Sequence, residues 1–210
     1  MDNKPYISIV LGESGVGKSS FINAITQKKE YFVSDRFESC TKYIKNIEAK
    51  HFGQNYIFID TPGFSYCNDD EKRILKSAIE KYKQEIKCIL FLFNFNNRIN
   101  ESYVKNIMDA FSISNFWKHV LIIYTHANKE NEYLFEKKKQ RIEGSLVKIL
   151  HSEDFQKFMV NKNIYTPFTL DEFYVNCRDK NIEKTFENNK EEFEKIYLAI
   201  TSRKTMFEDI

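Results

Sequence analysis

The sequence lacks a long hydrophobic run and a cleavable leader. Its longest strongly apolar run is Cys88–Phe93, far shorter than the roughly 20 residues that a membrane-spanning helix needs. The first ten residues, MDNKPYISIV, contain neither an apolar core nor a cleavage site, and Met206–Ile210 form no lipidation motif. These absences predict a cytoplasmic protein and leave open an attachment to the periphery of an intracellular membrane.

The sequence is also poor in cysteine and has almost no excess of charge. Cys40, Cys67, Cys88 and Cys177 are scattered without a CxxC pair, which argues against a disulfide framework or a zinc site and favours a reducing compartment. Lys and Arg total 32 and Asp and Glu total 30, so the net charge of +2 gives no reason to expect a nucleic-acid partner. With 210 residues, of which 42% are hydrophobic, residues 1–210 are expected to form one globular domain.

Glycine and proline are rare, so each occurrence carries positional information. Three of the six glycines lie between Gly12 and Gly17, and Gly63 follows one of the three prolines. Short runs rich in Ile, Val, Phe and Tyr predict strands over Tyr6–Leu11, Tyr43–Ala49, Tyr56–Asp60, Cys88–Phe93, Val120–Tyr124 and Phe173–Asn176. Amphipathic segments predict helices over Lys18–Gln27, Asp70–Glu85, Asn100–Phe111, Glu132–Leu150, Asp154–Val160 and Ile182–Arg203. This alternation predicts an α/β fold, with a mainly parallel six-stranded sheet flanked by helices on both faces.

The strongest motif, GESGVGKS, fills residues 12–19 and has the form GxxxxGK[ST]. It leaves the first predicted strand and enters the first predicted helix, which is the context that a phosphate-binding loop requires. Glycines let successive backbone N–H groups point at a phosphate, and the helix N-terminus adds partial positive charge. Lys18 would contact the β- and γ-phosphates, the Ser19 hydroxyl would ligate Mg²⁺, and Ser20 would donate to the α-phosphate. The rest of the predicted phosphate cradle consists of Glu13, Ser14, Gly15, Val16 and Gly17.

A second motif, IFIDTPG, ends the third predicted strand at residues 57–63. Asp60 is a candidate to hold Mg²⁺ through water, and Gly63 offers a backbone N–H to a γ-phosphate because no Cβ blocks the approach. Alone, the segment Asp60–Gly63 is also compatible with a simple β-turn. Downstream of a phosphate loop it is typical of a GTPase switch. Thr41, between the two motifs, is the candidate switch threonine that closes on Mg²⁺ when a γ-phosphate is present.

Four segments together resemble a known family: LGESGVGKSSFINAI, CTK, FIDTPGF and LIIYTHANKEN. They are similar to the avirulence-induced-gene (AIG) and immunity-associated (GIMAP) GTPases. That family belongs to the septin-like group of P-loop GTPases, which also contains the chloroplast import-receptor GTPases. The resemblance covers Tyr6 to Tyr197. It implies a P-loop GTPase fold, GTP as substrate and GDP as product, Mg²⁺ as cofactor, and a hydrolysis of GTP that is slow in the monomer.

The resemblance also gives Arg98 a role. Family members carry an arginine box after the fourth strand, and Arg98 occupies the arginine position of that box. Dimerisation across the nucleotide faces would let this arginine reach the phosphates of the partner. Phe64 stands where many small GTPases have a water-orienting Gln, and it cannot polarise water. An arginine finger, worth ~10³–10⁵ in rate, therefore has a physical rationale. The alternative is that Arg98 is an ordinary solvated side chain.

Base recognition is expected after the fifth strand, in the segment Thr125–Glu130. This segment departs from the Asn-Lys-x-Asp pattern of common GTPases, so the residue that reads guanine is left open among His126, Asn128 and Glu130. The resemblance to the import receptors implies that His126 flanks the base. The alternative is a histidine that only caps the end of the strand. The resemblance also implies that Asn176, past the sixth strand, contacts the base.

Two functions other than GTP hydrolysis share the phosphate-binding motif. A nucleotide-gated scaffold without appreciable hydrolysis would share every binding motif. An ATP-using P-loop kinase is disfavoured, because kinases of this kind generally close several arginines over the phosphates and this chain has six scattered ones.

Overall fold

The computed structural model describes residues 4–29, 44–63, 69–82, 85–111, 113–165, 170–177, 179 and 181–204. Its strands are β1 (Tyr6–Leu11), β2 (Lys45–His51), β3 (Gln54–Asp60), β4 (Ile86–Asn94), β5 (Val120–Thr125) and β6 (Asp171–Tyr174). The helices of the described part are α1 (Lys18–Thr26), α2 (Asp69–Tyr82), α3 (Glu101–Phe111), α4 (Glu132–Leu150), α5 (Glu153–Asn161), α6 (Ile182–Asn188) and α7 (Lys190–Thr201). A short 3₁₀ turn, Phe116–His119, precedes β5.

The six strands form one sheet in the order β2-β3-β1-β4-β5-β6. The pairs β1–β3, β1–β4, β4–β5 and β5–β6 are parallel, whereas β2 runs antiparallel to β3. The two-residue turn between β2 and β3 explains that direction. Phe52 and Gly53 both have positive φ, 45° and 76°, as in the tight turns that join hairpin strands. The predicted mainly parallel sheet is confirmed.

Side chains alternate between the two faces of the sheet, and helices cover both. Ile9 and Ile89 belong to one core, which also receives side chains of α2, α3, α4 and α5. Their neighbours Val10 and Leu90 belong to the opposite core, under α1, α6 and α7. This period of two is the pattern of a strand that is buried on both faces. Within the described ranges, no helix is both long and apolar enough to cross a bilayer.

The structure corrects the prediction of a single C-terminal helix over Ile182–Arg203. Two helices, α6 and α7, meet at Asn189, whose φ and ψ are −117° and 10°. The apolar spacing continues across the break, because Phe186 and Phe193 stack on each other with ring centroids 5.7 Å apart. Hydrophobic periodicity therefore could not reveal it.

Other boundaries differ by a few residues. The sixth strand covers Asp171–Tyr174 instead of Phe173–Asn176, so Asn176 lies in the loop that follows the sheet. The second helix is described over Asp69–Tyr82, and Glu85, predicted as its last residue, lies in a turn before β4. The short helix predicted over Asp154–Val160 is confirmed as α5.

The parallel strands bring five loops to one edge of the sheet. These loops follow β1, β3, β4, β5 and β6 and include residues 12–17, 61–63, 95–100, 126–131 and 175–177. In open α/β sheets, ligands bind in the crevice at the carboxyl ends of the strands, where the strand order reverses. Here the order reverses around β1, so the loop after β1 lies at the expected position of a ligand.

Candidate functional site

The loop between β1 and α1 has the backbone of a phosphate-binding loop. Gly15 and Gly17 have φ of 78° and 93°, a left-handed conformation that residues with a Cβ rarely adopt. Gly12 is required for a different reason. A Cβ at this position would lie 2.7 Å from Cγ2 of Val16 and 2.9 Å from the carbonyl oxygen of Leu92. Each glycine of the motif therefore meets a steric demand of the loop.

Lys18, the first residue of α1, folds back over this loop. Its Nζ donates to the carbonyl oxygen of Gly12 at 2.9 Å and to that of Glu13 at 3.1 Å, and the residue is only 7% exposed. Burial lowers the pKa of Lys18 to about 8, against the opposing effect of the negative charges of Asp60 and Glu13. A buried cation is stabilised by a nearby anion, so a phosphate in the loop would supply the counter-charge that Lys18 requires.

Ser19 and Asp60 face each other beside Lys18. The hydroxyl of Ser19 donates to Oδ2 of Asp60 at 3.4 Å. Asp60 is the last residue of β3 and is fully buried. Hard oxygen ligands of this kind are the ones that Mg²⁺ prefers. The two side chains therefore fit a magnesium ion, whose charge would stabilise that of a bound phosphate.

Gly63 lies directly against the phosphate-binding loop. A Cβ at this position would be 2.6 Å from Cα of Ser14 and 2.9 Å from its backbone nitrogen. Thr61, two residues earlier, donates its hydroxyl to the carbonyl oxygen of Val10 at 2.8 Å. That bond ties the start of the segment to β1. Thr41 and Phe64, which the sequence analysis singled out, lie outside the described residues, so their predicted roles stay predictions.

The remaining predicted phosphate contacts lie at the rim of the loop. Glu13 accepts a hydrogen bond at 3.0 Å on Oε1 from the side-chain amide of Asn100, which links the phosphate-binding loop to the loop after β4. Ser20 is half-buried in the first turn of α1. Its predicted contact with the α-phosphate stays a prediction.

Arg98 lies in the loop between β4 and α3, which borders the site. Asn96 donates its side-chain amide to the carbonyl oxygen of His126 at 3.3 Å. The side chain of Arg98 is exposed and lines a groove of ≈ 500 Å³ with Arg141 and Lys148 of α4. Within the part of the chain that the structure describes, Arg98 forms no ion pair. Its predicted role as an arginine finger stays a prediction.

Thr125 connects the predicted base loop to the phosphate-binding loop. Its hydroxyl donates to the carbonyl oxygen of Val16 at 2.5 Å and lies 3.2 Å from that of Phe93. The motifs in the sequence do not predict this role of Thr125. The only signal was its place at the head of the segment, where the common pattern has an Asn.

His126 follows Thr125 with a left-handed backbone, φ 58°. A Cβ at Gly17 would lie 3.5 Å from Nε2 of His126, so the imidazole ring is next to the phosphate-binding loop. The structure thus places His126 next to Gly17, and its predicted contact with the base stays a prediction.

Asn128 and Glu130 are bonded to each other. The amide of Asn128 donates to Oε2 of Glu130 at 3.1 Å, and the backbone N–H of Glu130 donates to Oδ1 of Asn128 at 2.9 Å. Both side chains are exposed. A carboxylate that reads guanine must accept from the base, so this local pair would have to rearrange or share its oxygens.

Asn176 lies in the loop after β6. In the strand order, the loop after β5 stands between it and the phosphate-binding loop. The preceding residue, Val175, accepts from the N–H of Ala127 at 3.0 Å, which holds the loops after β5 and β6 together. Both backbone groups of Asn176 are bonded to the side chain of Asn189, a residue that the sequence analysis did not consider.

The chain matches known GTPases in sequence. Residues 8–129 match the family model described as "50S ribosome-binding GTPase". The GTPase Era of Ureaplasma urealyticum is 32% identical over 134 residues, which cover 64% of this chain and 40% of that protein. The chloroplast translocase Toc132 of Arabidopsis thaliana is 33% identical over 129 residues, or 57% of this chain and 10% of that protein. The chain thus spans well under half the length of both relatives.

Solved structures share the fold. Toc33 of Arabidopsis thaliana superimposes with a TM-score of 0.69 at 20% identity, covering 95% of this chain and 84% of that one. A second Toc33 structure, in complex with Mg²⁺ and GMPPNP, gives a TM-score of 0.67 at 18% identity over 96% and 87% of the two chains. Because the family model spans more than half of the residues, and the fold agrees with it, this protein belongs to the P-loop GTPase family of that model.

Proposed function

We propose that this protein binds GTP with Mg²⁺ and hydrolyses it to GDP and phosphate. The observation that carries the proposal is the convergence of Lys18, Ser19 and Asp60 on the glycine loop after β1, at distances of 2.9 to 3.4 Å between their polar atoms and their partners. Membership of a GTPase family supports the reaction class.

Each group of residues at the site has its own proposed role in binding the phosphates and Mg²⁺. Backbone N–H groups of the loop cradle the phosphates, and Lys18 places its charge against the β- and γ-oxygens. Ser19 and Asp60 would hold Mg²⁺, whose charge would neutralise that of the phosphate oxygens. Gly63, close against Ser14, offers its N–H to the γ-phosphate. Thr41, outside the described residues, keeps its predicted role as the switch threonine that would bind Mg²⁺.

Guanine is the proposed base. His126 lies beside Gly17 and would flank the ring system, while Glu130 or Asn128 would accept from the N–H groups of guanine, which adenine does not offer. Asn176 supplies a further amide next to that loop. The similarity to Era and Toc GTPases supports this choice.

A dimer across the nucleotide face is the proposed catalytic form, with Arg98 of one copy reaching the phosphates of the other. Arg98 is exposed and makes no ion pair with any described residue. Toc33 has been crystallised as an arginine-to-alanine mutant described as dimerization deficient, and dimerization is stated to be important for the GTPase activity of Toc33 and Toc159. Those statements concern the Toc proteins. Here they support a test of Arg98.

Turnover per subunit is expected to rise with protein concentration, because a finger acts only in the dimer. The variant Arg98→Ala should lose at least ~10-fold of that turnover at high concentration while its affinity for GDP stays unchanged. The matched control is Lys148→Ala, which removes another cation from the same groove. The measurement is phosphate release over a hundredfold range of protein concentration. A rate per subunit that stays flat, or an undiminished rate in Arg98→Ala, would contradict the proposal.

The second candidate function is a scaffold whose assembly is controlled by GTP and whose hydrolysis is negligible. Phe64 in the usual position of the water-orienting Gln favours this alternative. The two functions differ in one quantity, the turnover of the wild-type protein, which the same phosphate-release measurement gives.

We further propose that the protein is a member of the septin-like GTPases, the group of the AIG and import-receptor families, and that it acts in the cytoplasm or at the surface of an intracellular membrane. The similarity to Toc proteins supports the import-receptor side of this grouping. The AIG/GIMAP assignment itself stays a prediction from the motifs.

A further inference from the structure

Asn189, where α6 ends and α7 begins, is a buried polar residue with an unusual set of partners. Its Oδ1 accepts from the backbone N–H of Asn176 at 2.8 Å, and its Nδ2 donates to the carbonyl oxygens of Asn176 at 3.0 Å and Thr185 at 2.8 Å. The residue is 7% exposed. One amide side chain thus satisfies both backbone groups of Asn176.

This arrangement has a cost for the helix that Asn189 begins. An Asn at a helix N-terminus normally accepts from a backbone N–H in the first turn of its own helix. Asn131 and Asn181 do so at the starts of α4 and α6. Asn189 does not cap α7, a helix that is described throughout. Its side chain is directed away from its own helix to a loop 13 residues earlier in the chain.

The loop that Asn189 holds is the one expected to contact the base. β6 lies at the edge of the described sheet, so among the described strands none pairs with the loop that follows β6 on the side away from β5. On that side, the amide of Asn189 bonds to the backbone of the loop. The side-chain oxygen Oδ1 of Asn176 has no hydrogen-bond partner within the described residues. A buried acceptor without a partner is costly, and an N–H donor of a bound base would remove that cost after rotation of the amide.

A second contact from the first turn of α7 reaches the loop after β5, which is also predicted to contact the base. Oε1 of Glu192 lies 3.3 Å from Nζ of Lys129. Lys129 stands in the sequence between Asn128 and Glu130, two of the residues predicted to read the base. The other oxygen of Glu192, Oε2, accepts from the N–H of Tyr174 at 3.5 Å. The ion pair is partly exposed and therefore weak, so Asn189 is the main contact of this turn with the two base loops.

We propose that Asn189 is a positioning residue for base recognition, which fixes the backbone of Asn176 so that the loops after β5 and β6 present a preformed site to guanine. This inference rests on the proposed binding of guanine nucleotides. It also accounts for the break between α6 and α7, because a continuous helix would place residue 189 in a regular turn with its backbone bonded along the helix axis. The break frees the Asn189 side chain to reach the loop.

The test compares the affinities of the full chain for GDP and ADP. Asn189→Ala should lower the GDP-to-ADP affinity ratio about tenfold or more, because a loosened Asn176 affects contacts with the base and leaves the phosphate contacts in place. The matched control is Asn181→Ala, which removes a capping bond to the N–H of Lys184 and destabilises the same region without touching Asn176. Its affinity ratio should equal that of the wild type.

A second variant keeps the inference testable if Asn189→Ala fails to fold. Asn189→Ser retains a good N-terminal residue for α7, but its short hydroxyl cannot bond both backbone groups of Asn176. The same fall in the affinity ratio is expected. A wild-type ratio in a folded Asn189→Ala or Asn189→Ser variant would overturn the inference and leave the proposed function intact. A wild-type protein that does not prefer GDP to ADP would overturn both, so the two failures are distinguishable.

Discussion

Replacing Lys18 with alanine is expected to lower the rate of GTP hydrolysis by ~10²–10³-fold, because the substitution removes a charge aimed at the phosphate oxygens from a water-poor site. Lys18 is 7% exposed and holds two carbonyl oxygens of its own loop. GDP binding should also weaken, since the β-phosphate loses the same contact. Phosphate release and displacement of a fluorescent nucleotide measure the two effects.

The loss should not come from unfolding. Burial lowers the pKa of Lys18 from 10.5 to about 8, so folding disfavours its charged form at pH 7. This penalty is fully present below about pH 8. It decreases as the pH rises from about 8 to 10.5, because the folded protein releases the proton in this range while the unfolded chain still keeps it. The matched control is Lys28→Ala, just past the end of α1, where the side chain is exposed. A Lys18→Ala variant that hydrolyses GTP at the wild-type rate would contradict the assignment of the phosphate-binding loop.

Gly63→Ala is expected to reduce hydrolysis by ~10²-fold through a steric effect on the approach of this residue to the γ-phosphate. A Cβ there would lie 2.6 Å from Cα of Ser14 and 2.9 Å from its backbone nitrogen. Residue 63 would therefore have to move away from the phosphate-binding loop, and its N–H would move away from the γ-phosphate while the loop keeps its shape. GDP has no γ-phosphate, so its binding should change much less. Single-turnover hydrolysis and the Kd for GDP separate the two steps.

Gly144→Ala is the control for this substitution. Gly144 lies inside α4, and a Cβ there would meet no heavy atom within 4 Å. Alanine should therefore stabilise the helix by about 0.5–1 kcal/mol and leave hydrolysis unchanged. If Gly63→Ala behaved like Gly144→Ala in both measurements, the close approach of Gly63 to Ser14 would have no part in catalysis.

The sheet and most helices follow from local patterns in the sequence, whereas one feature of the fold does not. Apolar residues recur at helical spacing through Phe186 and Phe193, so the pattern predicts one helix across residues 182–203. At the break, the side chain of Asn189 is hydrogen-bonded to both backbone groups of Asn176. A pattern that compares residues three or four apart contains no information about a partner 13 residues away on the other side of a loop.

In the candidate site, too, some residues follow from motifs in the sequence and others do not. That the glycine loop, Lys18, Ser19 and Asp60 lie together could be predicted, because phosphate and Mg²⁺ chemistry restricts both residue types and spacing. Thr125 was not, because its role depends on a hydrogen bond to Val16 across 109 residues of chain. The base reader also stayed open, since Asn128 and Glu130 are bonded to each other in an arrangement that residue types alone do not predict.

The measurement that tests the central claim most directly is competition of GTP, GDP, ATP and ADP for a fluorescent guanine nucleotide in the presence of Mg²⁺. A site that hydrogen-bonds guanine should reject adenine strongly, so we expect GTP and GDP to compete at least ~100-fold better than ATP and ADP. Equal displacement by adenine nucleotides would mean that the loops after β5 and β6 do not read guanine. That result would contradict the proposed function and leave only the phosphate-binding loop as a functional assignment.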